Sequence, residues 1–139
     1  VKFCTLSKDG GPYSTVWAYT LIEIKCLFSI ILLRFEDGSR DAYHSHAFNC
    51  ISWLLSGGLV EHRIQQRPTD GTLRGPVYSY LPSPYPIITR RSYLHKVVSV
   101  GRSWVLTFRG PWSKTWHEVV PDAAPVVLTH GRREIGGVK

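Results

Sequence analysis

The stretch Gly38-Ser39-Arg40-Asp41-Ala42-Tyr43-His44-Ser45-His46-Ala47-Phe48-Asn49-Cys50-Ile51-Ser52-Trp53-Leu54-Leu55-Ser56-Gly57 decides how this chain is read. At its centre stand His44 and His46. Side chains on a strand alternate faces, so residues two apart share one. The two imidazoles would then hang one pleat repeat apart, roughly 6.6 Å along the strand. That reach suits two nitrogens converging on one metal ion, with further ligands from other strands. Carried downstream, the same parity puts Phe48, Cys50, Ser52 and Leu54 on the histidine face. Asn49, Ile51 and Trp53 fall on the other.

Outward from this stretch the chain reads as short strands with turn punctuation. Residues 1–14 form an N-terminal arm with one short strand and a turn at Asp9-Gly10-Gly11-Pro12. Thr15 to Lys25 alternates loosely. Cys26 to Glu36 is rich in Ile, Leu and Phe and stops at Asp37-Gly38, a hairpin signal. A helix over 21–33 competes there, but β-branched content and the Asp-Gly stop favour strand. Downstream, His44 to Leu55 is the motif strand. Ser56-Gly57-Gly58 ends it, and Leu59 to Gln66 pairs back as a hairpin. Residues 67–76 form a loop. Val77 to Leu81, Ile87 to Val100, Ser103 to Arg109, Thr115 to Val120 and Val126 to Thr129 complete the strands. Residues 130–139 form a basic tail containing His130. So many short strands without a repeat point to an antiparallel sandwich or barrel.

The spacing also resembles the first motif of the cupin superfamily: Gly, five residues, His-x-His, three or four residues, Glu, six residues, Gly. Gly38, His44, His46, position 50 and Gly57 fall in register, with Cys50 where metal-binding cupins commonly carry a Glu ligand. The second motif, a third His on a later strand, is matched best by His95 in Arg91-Ser92-Tyr93-Leu94-His95-Lys96-Val97-Val98-Ser99, without the usual Pro-x-Gly or Asn. Together the two stretches span about half the chain. The resemblance implies one all-β, cupin-like jelly-roll barrel over residues 1–139, with one divalent metal ion (Fe, Zn, Mn or Ni) held by His44, His46 and His95. Thiol dioxygenases, a cupin branch with a three-His iron site, place a Cys four residues beyond the second His, where it can cross-link to a later Tyr. Here the gap is three and no Tyr follows Tyr93, so no cross-link is expected. Over its length the chain is similar to small cupin-like proteins of tailed phages and bacteria, through Tyr43 to Asn49, Leu94 to Val98, and Phe108 to Trp112 with Thr115-Trp116-His117.

Further ligand candidates are Cys50, Glu61 and His117. A Cys50 thiolate would favour a softer ion such as Zn, whereas a packed Cys50 simply fills the barrel. Of Glu61 and His62 only one can face inward. Tyr43, Phe48, Trp53, Trp104, Phe108 and Trp112 could wall a pocket or fill the core. No catalytic acid or base can be assigned. Two functions follow. One is a small metalloenzyme, with dioxygenase-type chemistry on Fe(II) or Lewis-acid chemistry on Zn or Mn. The other is a non-catalytic binding or structural module, such as a phage particle component.

Composition bounds these readings. A chain of 139 residues, 43% hydrophobic and 12% aromatic, suits one globular domain. Three cysteines without Cys-x-x-Cys spacing argue against a disulfide framework and for a cytoplasmic setting. The greasy run 21–35 is too short to span a bilayer, and Glu23, Lys25 and Arg34 interrupt it. No membrane partner is expected; a small-molecule substrate and a homodimer are compatible with the composition. Seventeen basic against ten acidic residues give +7 and a pI near 9.6, spread out rather than clustered. Nucleic acid is therefore not the expected partner. DNA or RNA should not be retained in a low-salt binding assay; tight binding that falls steeply with salt would reverse that reading.

Overall fold

The structure is a computed structural model, described here for residues 1–11, 13–39, 43–64, 75–119, 126–129 and 133–137. Twelve strands run through these residues: β1 (Lys2–Lys8), β2 (Val16–Ile24), β3 (Phe28–Phe35), β4 (Gly38–Ser39), β5 (Tyr43–His44), β6 (Cys50–Ile64), β7 (Val77–Tyr80), β8 (Ile87–Thr89), β9 (Leu94–Arg109), β10 (Thr115–Val119), β11 (Val126–Thr129) and β12 (Arg133–Gly137). No helix occurs among them, so the all-β expectation holds and the helical alternative over 21–33 does not. That run is instead the β2–β3 hairpin, closed by Leu27 N–H donating to the Ile24 carbonyl at 2.8 Å. No helix long and apolar enough to cross a membrane is present among the described residues. Most of the loop read at 67–76, and His130 in the tail, lie outside the described residues; Arg133–Gly137 of the tail pairs with β11.

Three boundaries differ from the sequence reading. The first concerns Asp37-Gly38, which does not make a hairpin. Gly38 and Ser39 pair with Ser99 and Val98 of β9, while Asp37 Oδ1 accepts from Gly101 N–H. The second is the motif strand. His44 belongs to the two-residue β5, the chain leaves the sheet, and β6 begins only at Cys50. The third is the turn expected at Ser56-Gly57-Gly58. It is a bulge inside one fifteen-residue strand, with register shifts between Leu54 and Ser56 and between Ser56 and Gly58. Gly101 is likewise passed within a single strand, β9. A bulge keeps pairing continuous while bending the strand, which is why turn-type residues were misleading here.

β6 and β9 pair antiparallel along their length, from Cys50 opposite Arg109 to Ile64 opposite Leu94. The other edge of β9 takes β3 along its second half and β4 and β5 along its first. The apolar core sits inside this curved sheet: Val16, Ala18, Ile31, Leu33, Leu54, Leu59 and Val105. In β9 the inward residues Ser103, Val105, Thr107 and Arg109 are buried, so Trp104, Leu106 and Phe108 share the outer face. Trp53 packs edge-on against Phe108 and donates to the Pro84 carbonyl on that outer side. Small inward residues leave room within the barrel, and the bulky ones cover its outside.

Ser103 ties the two bends together. Its Oγ donates to the Gly58 carbonyl, accepts from Gly58 N–H, and meets Ser99 Oγ at 2.8 Å. Gly57 has φ +89°, and a Cβ there would stand 2.5 Å from the Arg102 carbonyl and 2.7 Å from Ser103 Cα. Gly101 has φ +70° but open space around it. Gly57→Ala should therefore lower the unfolding free energy, measured by denaturant titration, by well over the roughly 1–2 kcal/mol that left-handed strain alone costs. Gly101→Ala should cost only that strain. Equal losses from the two variants would remove the steric argument.

Candidate metal centre

His44 and His95 are direct cross-strand partners between β5 and β9. Their ring centroids are 5.0 Å apart. His46 lies just beyond β5 and is turned inward by a clamp on the intervening residue. Ser45 N–H donates to the His117 carbonyl at 2.9 Å, and His117 N–H donates to Ser45 Oγ at 2.9 Å. The His46 ring then lies 4.9 Å from both other imidazoles. The three histidines form one group whose candidate ligand atoms all lie within 4.8 Å of one another. His44 and His95 are buried, and His46 is half-buried. They line a cavity of about 100 Å³ whose remaining walls include Leu33, Leu59, Val105 and Phe48.

Glu61 gives this group its orientation. It is 2% exposed, and Oε2 accepts from His95 Nδ1. A carboxylate only accepts, so Nδ1 of His95 carries a proton in either charge state of the ring. In the neutral ring the lone pair is on Nε2, which faces His46 Nε2 at 2.8 Å. Arg63 Nε and the Tyr80 hydroxyl both donate to Glu61 Oε1, at 2.9 and 2.8 Å. Arg63 is in turn sandwiched between the rings of Tyr78 and Tyr93. Burial by itself would raise the Glu61 carboxyl. The His95 bond and charge, with the bonds from Arg63 and Tyr80, outweigh it and hold the carboxyl at about 2. Burial and the same carboxylate push the Tyr80 hydroxyl up to about 12.

The remaining sequence candidates separate. Glu61, not His62, is the inward residue, and it holds a histidine rather than joining the three-histidine group. Cys50 lines the cavity, where its Sγ accepts from Ser52 Oγ at 3.9 Å, and it lies outside the group. The His117 side chain is exposed; only its backbone serves the site. Of the six aromatics, Phe48 lines the cavity and Trp112 its mouth, whereas Tyr43, Trp53, Trp104 and Phe108 line neither. Residues not anticipated are Arg63 and Tyr80 around Glu61, and the buried Arg109 with its half-buried partner Asp9, which line the same cavity. Glu61 alone left a trace in the sequence, as a carboxylate on the strand following the motif.

Because the Glu61 carboxyl is held below its ordinary range, its contribution to stability is complete above pH about 4.5 and is lost as pH falls toward about 2. Denaturant midpoints measured across that interval should fall for the natural protein. Glu61→Gln should be less stable at neutral pH and flatter over the same acid range. An unchanged acid profile in the variant would mean that the carboxylate is not what holds His95.

No protein-family model matches the sequence, and no curated protein matches it significantly. Solved structures do. An RmlC-like cupin from Shewanella frigidimarina superposes with a TM-score of 0.56 at 12% identity, over 78% of this chain and 84% of that one. A cupin-superfamily sugar phosphate isomerase from Silicibacter pomeroyi gives 0.55 at 14%, over 85% and 73%. The enzyme HppE in its Fe(II) form gives 0.56 at 10%, over 76% and 55%. None of these three bears on the resemblance to phage proteins. Identities this low speak for architecture alone. The antiparallel strand order and these superpositions agree: this chain has the cupin fold.

Proposed function

We propose that the chain binds one divalent metal ion (Fe, Zn, Mn or Ni) through His44, His46 and His95, as a small metalloenzyme acting on a small molecule. The observation that carries this reading is the convergence of three imidazoles, from two strands and a clamped loop, within 4.8 Å. The donor set is all nitrogen, which suits first-row ions such as Zn, Fe and Ni. Glu61 supplies the outer partner that commonly fixes the tautomer and orientation of a ligating histidine. Bound Fe(II) would supply oxygen chemistry, and Zn or Mn would polarise a carbonyl or activate water. The chain's own part is to orient the histidines, to hold the proton of neutral His95 on Nδ1 so that Nε2 is the ligating atom, and to limit water with Phe48 and the apolar wall. The Fe(II) form of HppE among the structural neighbours supports iron as one candidate.

A non-catalytic module is the second reading. The 2.8 Å contact between His46 and His95 favours it, since two imidazoles can share a hydrogen bond and hold the cluster without an ion.

Metal analysis of protein purified without added metal separates the two. About one ion per chain is expected, with affinity falling as pH drops through the free-imidazole range near 6.5. His44→Ala and His95→Ala should each weaken binding by about a hundredfold or more, and the losses should not add because they share one ion. Cys50→Ser should leave most of the affinity. No metal under any loading condition would leave the module.

A further inference from the structure

The cavity lined by the histidines also carries a charge that the metal does not need. Arg109, at the end of β9 between Ser29 and Cys50, is 5% exposed and lines the same cavity. Its guanidinium lies 4.5 Å over the Phe48 ring, and that ring lies 5.1 Å from His46. One ring therefore touches both the cation and an imidazole. A buried cation is costly unless paired, and an apolar residue would fill the barrel as well. Arg109 is paired with Asp9: Nη2 donates to Oδ2 at 2.9 Å. Asp9 belongs to the turn between β1 and β2, all seven residues of β1 are exposed, and Gly10 and Gly11 follow it with φ +98° and +101°. Asp9 also lies where the inner cavity meets a wider mouth of about 420 Å³. Lys2, Lys8 and Lys25 line that mouth, and Asp9 is the one acid among its described residues.

We propose that Arg109 is the anchor for the carboxylate of a short organic acid, and that Asp9 holds this position until the ligand displaces it. The proposal deepens the metalloenzyme reading by naming its substrate class. The planar guanidinium fork matches a carboxylate, and the carboxylate of Asp9 shows that one fits there. The three lysines at the mouth favour the approach of an anion. Size restricts the acid. The inner cavity of about 100 Å³ is smaller than the apolar cavity of about 150 Å³ that accepts benzene. Only an acid of a few carbons fits in the cavity that Arg109 shares with the histidines and Phe48, and anything longer must extend into the mouth.

Propionate, lactate and inorganic phosphate, titrated against the full chain with zinc and with chelator, test this through tryptophan fluorescence, since Trp112 packs on Phe48. Propionate or lactate should bind the natural protein. Asp9→Asn should bind them about threefold or more tightly, because the competing carboxylate is gone. Arg109→Gln should weaken them about tenfold or more. Zinc affinity should be unchanged in both variants. Carboxylate binding that follows this pattern in protein that takes up no metal would support the anchor while the metal reading fails. Three results overturn the anchor: no carboxylate binding, phosphate preferred over the acids, or Asp9→Asn binding no more tightly than the natural chain. If Arg109→Gln does not fold, the direction of the Asp9→Asn change decides, with circular dichroism verifying that variant's fold.

Discussion

The pairing of β6 with β9 is the constraint on which the rest of this molecule depends. These two long strands form the spine of the barrel, and the bulge at Ser56 is what lets one strand serve two walls. Before the bulge, Cys50, Ser52 and Leu54 face inward; after it, Leu59 and Glu61 do. Without the shift in parity, His62 rather than Glu61 would face the cavity. The carboxylate that orients His95 would then stand in solvent. Glycine at 57, where a side chain would strike the facing backbone, allows the close approach that makes the bulge possible.

The same spine distributes charge inside the barrel. Glu61 lines the cavity with Tyr80 and is held by Arg63, and Arg109 lines it with Asp9. Each buried charge has a partner of opposite sign, as an environment of low dielectric requires. The imidazoles line the same cavity and touch these pairs through the bond of His95 to Glu61. An interior arranged this way holds a polar site without an unpaired ion. It also explains why inward positions of β9 carry Ser, Thr and Arg while Trp104 and Phe108 lie outside.

The clamp between Ser45 and His117 is a smaller instance of the same economy. β5 is only two residues long, too short to orient two histidines by strand geometry. Two hydrogen bonds to β10 replace the missing ladder and turn His46 toward His95. A histidine that reads as a spare ligand thus contributes through its backbone.

Local order is what the sequence by itself determined: an all-β chain, and the His-x-His pair with a further histidine on a later strand. Alternation over a few residues is carried by the residues themselves, and the His-x-His spacing needs no distant partner to be recognised. Tertiary structure alone decided that Ser56-Gly57-Gly58 is a bulge and not a turn, because glycine permits both and only the facing strand chooses. It alone decided that Glu61 faces inward, since that depends on the bulge. Arg109 meets Asp9 across the whole length of the barrel chain, and Arg63 meets Tyr78 and Tyr93 from separate elements. Such pairings leave no local pattern, because the physical contact exists only once the strands have closed around the cavity.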